Sequence, residues 1–341
     1  MPNPAVQKKS VQWNSNLLAV VSLIGIIALY VLSDNASGAL LQHPKLQLFK
    51  MLFLSIIIEA LPFILIGVLV SAALQVFVSE QTIQRMIPKN PVLGIVTASV
   101  IGIIFPICEC GMVPAIRRLI QKGMPLYAAT TFILVGPILN PIVFWSTFTA
   151  FRNRPEMTIS RMGLAFLVAL AIGLIVYRFV KTDQLKHNEA KLEHHHHEHD
   201  GFHPLGRNKG IELMGHAISE FFEMGKYLML GALLVGLLQA FVSKDSLVAL
   251  GHVQGSANLL MMGLGFILSL CSTSDAFVAQ SFAATFSKSS LVAFMVFGPM
   301  LNLKGILMMS AVFKPRFVAL YSSLVFVFVY AGTLLLEWLQ F

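Results

Sequence analysis

Two short runs carry the residues best suited to chemistry. Pro106-Ile107-Cys108-Glu109-Cys110-Gly111-Met112-Val113-Pro114 sets two thiols and a carboxylate between two prolines in otherwise apolar surroundings. Cys271-Ser272-Thr273-Ser274-Asp275 sets one thiol, three hydroxyls and a carboxylate in a similar setting. Thiolates are soft ligands for soft metals or metalloids, and an activated thiol needs a base or positive charge nearby. The hydroxyls and Asp275 suit a small cation or a proton. The competing explanation is that buried free cysteines act as small hydrophobes, and residue types alone leave both open. With a proline at each end, the first run is expected to form a turn rather than a straight helix.

A second pair of motifs, Gly136-Pro137-Ile138-Leu139-Asn140 and Gly298-Pro299-Met300-Leu301-Asn302, falls in the middle of apolar stretches. Proline removes a helical donor and collides with the preceding turn, so the helix is expected to break at Gly136-Pro137 and at Gly298-Pro299. At membrane depth such a break is tolerated against protein or a wet cavity, where freed carbonyls hold ions or polar substrate groups. Asn140 and Asn302 supply amides there, either lining a site or capping the freed backbone. Ionisable residues inside apolar stretches need partners or a wet path. They are Glu59, Glu109, Glu223, Lys226, Asp275 and Lys304. Glu223 shares a helical face with Glu220 and Lys226 and so has a structural ion pair as its alternative. Glu59 has no such local partner and is the stronger candidate for coupling or gating. Lys304 is expected to neutralise Asp275 or attract an anion.

A third feature is a tract of His194, His195, His196, His197 and His199 between Glu193 and Asp200; with His187 and His203, seven of the ten histidines lie within seventeen residues. Neutral imidazoles bind zinc, nickel or copper, and the tract is too polar to fold alone. Incidental metal affinity and metal sensing remain alternatives. The chain has no phosphate-binding loop, dinucleotide fingerprint, nucleophile elbow or HExxH motif. No enzyme activity and no cofactor are expected.

The elements that position these residues follow from composition. The 341 residues are 56% hydrophobic and 12% charged, with mean hydropathy +0.77. That is half the charge of a soluble domain, about 25%. A water-soluble globule, a nucleic-acid-binding domain and a disulfide-stapled secreted module are excluded, the last by only three cysteines. Net charge +8 fits basic loops at a membrane surface. Apolar runs span roughly residues 17–32, 51–78, 91–107, 124–151, 162–180, 211–242, 257–287, 289–313 and 317–339. The fold class is therefore all-α: a polytopic membrane bundle of about 8–10 segments with broken or re-entrant helices. The first run is read as a retained helix in preference to a cleaved signal peptide.

The chain divides into an N-terminal segment with a first transmembrane helix (1–45), a membrane repeat (46–180), a His-rich polar linker (181–210) and a second repeat (211–341). Offsets of 162 to 164 superpose Glu59 on Glu223, Gly67 on Gly231, Cys108 on Cys271 and the two Gly-Pro-x-Leu-Asn runs on each other. An internal duplication is the usual plan of secondary transporters. If the segments holding the cysteines cross fully, basic residues balance on both sides. If they turn back at Cys108–Gly111 and Cys271–Asp275, Lys8, Lys9, Arg85, Lys89, Arg117, Arg118, Lys122, the linker, Lys314 and Arg316 collect in loops on one side. The re-entrant arrangement is preferred, and it makes the repeats inverted.

With Cys108-Glu109-Cys110-Gly111, Gly136-Pro137-Ile138-Leu139-Asn140-Pro141 and their second-half counterparts, the chain resembles the bacterial predicted-permease family that includes ArsP and YraQ, over about residues 45–340. The resemblance implies a multi-pass permease of the bacterial cytoplasmic (inner) membrane. ArsP-like members export trivalent organoarsenicals, and some relatives resemble one half of a two-component permease with a second membrane protein. The expected partners are membrane lipid, a small-molecule or ion substrate and such a second membrane protein. In the arsenical version Cys108, Cys110 and Cys271 pass on a soft electrophile while Asp275 or Glu59 couples release to protons. The rivals are a divalent transition-metal transporter using the His tract, a membrane thiol oxidoreductase using Cys108 and Cys110, and a non-transporting subunit. The His-rich linker departs from the family core and leaves arsenical specificity open.

Overall fold

A computed structural model describes residues 44–77, 88, 90–104, 109–180, 184–185, 209–241 and 256–339. The N-terminal run, Cys108 and the His tract lie outside the described residues. The chain forms two compact units, Met1–Leu52 and Phe53–Phe341. In chain order the helices are α1 (Pro44–Phe77), α2 (Pro91–Ile104), α3 (Glu109–Gln121), α4 (Leu126–Val135), α5 (Pro141–Ala150) and α6 (Pro155–Phe179). After the linker come α7 (Lys209–Phe241), α8 (Ser256–Leu268), α9 (Asp275–Ser281), α10 (Lys288–Met300), α11 (Leu303–Val312) and α12 (Pro315–Trp338). Among the described residues, five stretches are long and apolar enough to cross a membrane: Lys45–Leu74, Pro155–Phe179, Glu220–Ala240, Lys288–Val312 and Pro315–Trp338. A hydrocarbon layer of about 30 Å needs about 20 such residues. The protein is an all-α, multi-pass membrane bundle.

The courses of the helices in the second unit follow from their contacts. The end of the bundle where α6 finishes is here called the linker end, and the other the distal end. Tyr127 at the start of α4 packs its ring on Tyr177 near the end of α6, 5.3 Å between centroids, which places the start of α4 at the linker end. α2 runs beside α4 in the same direction, with Gly94 against Tyr127 and Gly102 against Val135 and Gly136. α3 runs back toward the linker end, where the Lys122 ammonium donates to the Leu74 carbonyl at 2.8 Å. α2 and α3 therefore enter from the linker end and return to it. A Cβ on Gly67 of α1 would overlap the Gly111 backbone of α3. Only glycines allow that close a crossing, the small-residue packing of membrane helices.

The second half reverses this plan. Asn258 near the start of α8 bonds Ser290 (2.6 Å) at the start of α10 and Glu337 (2.9 Å) at the end of α12, all at the distal end. α8 runs inward beside α10, with Gly265 against Phe294 and Gly298. After the turn at 269–274, α9 returns to the distal end, where Gln280 faces the loop joining α5 to α6. The two helical hairpins thus open to opposite ends of the bundle.

Both expected helix breaks are present. α4 stops at Val135, ahead of Pro137, and Asn140 adopts an extended conformation before α5 starts at Pro141. In the second half the break lies after Pro299 rather than at it. α10 continues to Met300, and Leu301 and Asn302 are extended. Both halves close the turn alike, with Leu139 N–H donating to the Val135 carbonyl at 2.8 Å and Leu301 N–H to the Phe297 carbonyl at 2.7 Å. The second half adds the Tyr321 hydroxyl, which donates to the Met300 carbonyl at 3.0 Å and satisfies a carbonyl freed at the helix end.

Candidate functional site

Asn140 and Asn302 cap their breaks in the same way. Each side-chain oxygen accepts a backbone N–H three residues on, from Val143 at 2.9 Å and from Gly305 at 2.6 Å. Each side-chain NH2 donates back four residues, to Gly136 at 3.1 Å and to Gly298 at 2.9 Å. Both residues are buried, 5% and 1% exposed. Only Asn302 does more, because its NH2 also donates to the Glu109 carboxylate at 2.8 Å. Asn140 therefore serves as a cap, whereas Asn302 joins a cap to an ionisable group.

Glu109 opens α3. Its other oxygen lies 3.4 Å from the Lys304 ammonium on α11, with side chains 15% and 8% exposed. Lys304 thus serves Glu109, which corrects its expected pairing with Asp275. Gly231 of α7 packs on the Lys304 backbone and stem. The Cys271 thiol is half-buried, accepts a weak hydrogen bond from Thr273 at 3.7 Å, and is within electrostatic range of both Glu109 and Lys304. Cys110, next to Glu109, is buried. Glu109, Lys304, Asn302, Cys271 and Thr273 form one group where the start of α3, the second break and the turn at 269–274 meet.

Asp275 has a partner the sequence reading missed. Arg161, 0% exposed, donates to the Asp275 carboxylate at 2.7 Å, to the Ser272 carbonyl at 3.1 Å and to the Thr147 hydroxyl at 2.8 Å. Arg161 lies just outside the apolar run taken to start at residue 162. α6 instead starts at Pro155, six residues before Arg161, so Arg161 sits about 9 Å into the helix at about 1.5 Å per residue. Ser274 closes the turn by donating to the Cys271 carbonyl at 3.0 Å.

Arg117 and Arg118 also correct an expectation. Assigned to basic loops, they lie in α3 and are buried, 5% and 7% exposed. Arg117 bonds the Glu223 carboxylate at 3.0 Å, and Arg118 lies 3.7 Å from Glu220, which also accepts from Ser71 at 2.7 Å. The guanidinium holding Glu223 thus comes from α3, not from Glu223's own helix. Glu59 is exposed on α1 among exposed Ile58, Leu61 and Phe63, and within electrostatic range of Glu109. Among the described residues no cluster of three or more His, Cys, Asp and Glu side chains could hold a metal ion.

Every one of these ion pairs joins residues before the linker to residues after it: Arg117–Glu223, Arg118–Glu220, Arg161–Asp275, Glu109–Lys304 and Glu156–Lys288. The family model described as predicted permease matches residues 45–338. This chain belongs to the predicted-permease family. Its relatives include UPF0718 protein YcgR of Bacillus subtilis, 48% identical over 297 residues, 87% of this chain and 99% of the relative. A Streptococcus mutans protein whose name describes a two-component membrane permease complex subunit is 39% identical over 267 residues, 78% of this chain and 87% of the relative. No solved structure matches. As a predicted permease the chain is a membrane permease.

The two caps allow an internal comparison. Asn302→Ala loses a cap and a charge-assisted bond, Asn140→Ala a cap alone. The expected costs are about 2–4 kcal/mol and about 1 kcal/mol, so thermal unfolding in detergent will show the larger loss for Asn302→Ala.

Proposed function

We propose that this chain is the substrate-translocating subunit of a secondary permease, with Glu109, Asn302, Lys304 and Cys271 as its binding site. The observation that carries this is that Glu109, from the first half, is held by Asn302 and Lys304, from the second, at a broken helix. Discontinuous helices whose ends meet near mid-membrane are where secondary transporters bind substrate and coupling ion. Oppositely opening hairpins and matching Asn caps support a duplicated scaffold with inverted halves, residues 46–180 and 211–341. The positive-inside rule assigns the linker end to the cytoplasm. Ser272 and Thr273 belong to the same lining, braced by the buried Arg161–Asp275 pair, and Glu109 is the group that exchanges a proton as substrate binds.

The substrate class is a soft electrophile such as a trivalent organoarsenical, exported through Cys271, Cys110 and Cys108. Support comes from a half-buried thiol, a soft ligand, beside the Glu109–Lys304 ion pair. The test is efflux of trivalent methylarsenical from cells lacking other arsenical exporters, with serine at each cysteine. Efflux lost in Cys271→Ser supports the assignment. Unchanged efflux in the triple variant removes the thiols, and no efflux by the wild type removes the substrate class.

A second reading, that flux needs a second membrane subunit, is favoured by the name of the Streptococcus relative and by Glu59 exposed among apolar side chains. Flux in proteoliposomes holding this chain alone would contradict it.

A further inference from the structure

At the distal end a cavity of about 210 Å³ lies between the α5–α6 connection and α9, lined by Thr149, Phe151, Arg152, Asn153, Arg154 and Gln280 among others. At about 30 Å³ per water it holds about seven waters, too small for a drug-sized ligand but suited to a headgroup. Its rim is cationic. Arg152 and Arg154 are exposed and make no ion pair among the described residues. Glu156, within electrostatic range of Arg154, is already bonded to Lys288 at 3.1 Å. Residues 152–156 with Lys288 therefore carry three positive charges against one negative. The positive end of the α6 dipole points the same way; Arg154 at the N-cap position makes no side-chain cap bond, and Glu156 in the first turn offsets part of that dipole.

What lies below the rim is apolar. Thr149 on the rim donates to the Trp145 carbonyl one turn down α5. Trp145 is 68% exposed, and Phe144 and Ile142 beside it are exposed too. An exposed tryptophan one turn inside a span end marks the headgroup level of a bilayer. Guanidinium groups bind phosphate bidentately, and an apolar wall directly beneath favours a phosphate that carries acyl chains over a free one.

We propose that this pocket binds the phosphodiester of an anionic phospholipid, held by Arg152 and Arg154 with the acyl chains along Trp145 and Phe144. It is separate from the Glu109 site and would stand whether or not that site carries substrate.

The test uses the full chain, delipidated in neutral detergent, titrated with phosphatidylglycerol, phosphatidylcholine or inorganic phosphate and followed by native mass spectrometry and thermal unfolding. Phosphatidylglycerol is expected to bind about 30-fold more tightly than phosphatidylcholine, the factor two arginines contribute near an anionic lipid. That preference disappears in Arg152→Gln/Arg154→Gln and is retained in Lys314→Gln, a basic residue elsewhere. Equal binding of both lipids, or an unchanged preference in the double variant, overturns the proposal. Stabilisation by inorganic phosphate to the same extent reassigns the pocket to a soluble anion and overturns the lipid assignment. Both arginines are exposed, so the double variant should fold; an unchanged unfolding temperature without lipid confirms that it has.

Discussion

Arg161→Met is expected to cost about 3–5 kcal/mol of stability, the largest loss from any single substitution considered. A guanidinium that is fully buried satisfies a carboxylate, a carbonyl and a hydroxyl at once. Removing it leaves Asp275 in a dry site with its main counter-charge gone. The Arg161→Met/Asp275→Leu double variant should recover most of that loss, because exchanging a buried pair for apolar side chains is often close to neutral. Unfolding midpoints of the two variants in detergent test this. A double variant as unstable as the single would mean that Arg161 acts through packing rather than through Asp275. A double variant that folds but no longer transports would place the pair in the permeation mechanism.

Glu109→Gln and Lys304→Met are expected to leave a folded protein and to reduce transport about 10- to 100-fold each. A charge-assisted interaction worth about 1.5–3 kcal/mol is removed in each case, and tenfold corresponds to about 1.4 kcal/mol. Glutamine keeps an oxygen for Asn302, so the helix break survives and the loss falls on transport. The double variant should be little worse than either single, since both remove one coupled interaction. Methylarsenical efflux rates, normalised to folded protein in the membrane, measure this. Additive losses would mean that the two residues act separately.

How much of this arrangement was legible in the sequence differs from residue to residue. The breaks were legible because Gly-Pro followed by Asn is a local cause with a local effect, and both asparagines cap where the spacing put them. The charge balance of the loops pointed to hairpins that turn back, although Arg117 and Arg118, counted in it, lie in α3 rather than in a loop. The partners were not. Arg161 bonds Asp275 across 114 residues and Arg117 bonds Glu223 across 106, and no periodicity encodes such distances. Arg117 and Arg118 read as loop residues because basic residues near the end of an apolar run usually are. In α3 they are buried, and Glu220 and Glu223 of α7, the first buried and the second half-buried, neutralise them. Lys304, expected to neutralise Asp275 or attract an anion, instead pairs with Glu109 across 195 residues, a partner that no local spacing indicates.

The central claim is that Cys271 lies beside Glu109 and Lys304 on an aqueous path between the two halves. A variant keeping Cys271 alone, with Cys108→Ser and Cys110→Ser, can be treated in sealed vesicles with a charged, membrane-impermeant thiol reagent and then with a lipid-soluble one. Modification of Cys271 by the charged reagent from one face of the membrane is the predicted result. Labelling by the lipid-soluble reagent alone, with the charged reagent excluded from both faces, would put Cys271 against acyl chains or in dry protein and contradict the account.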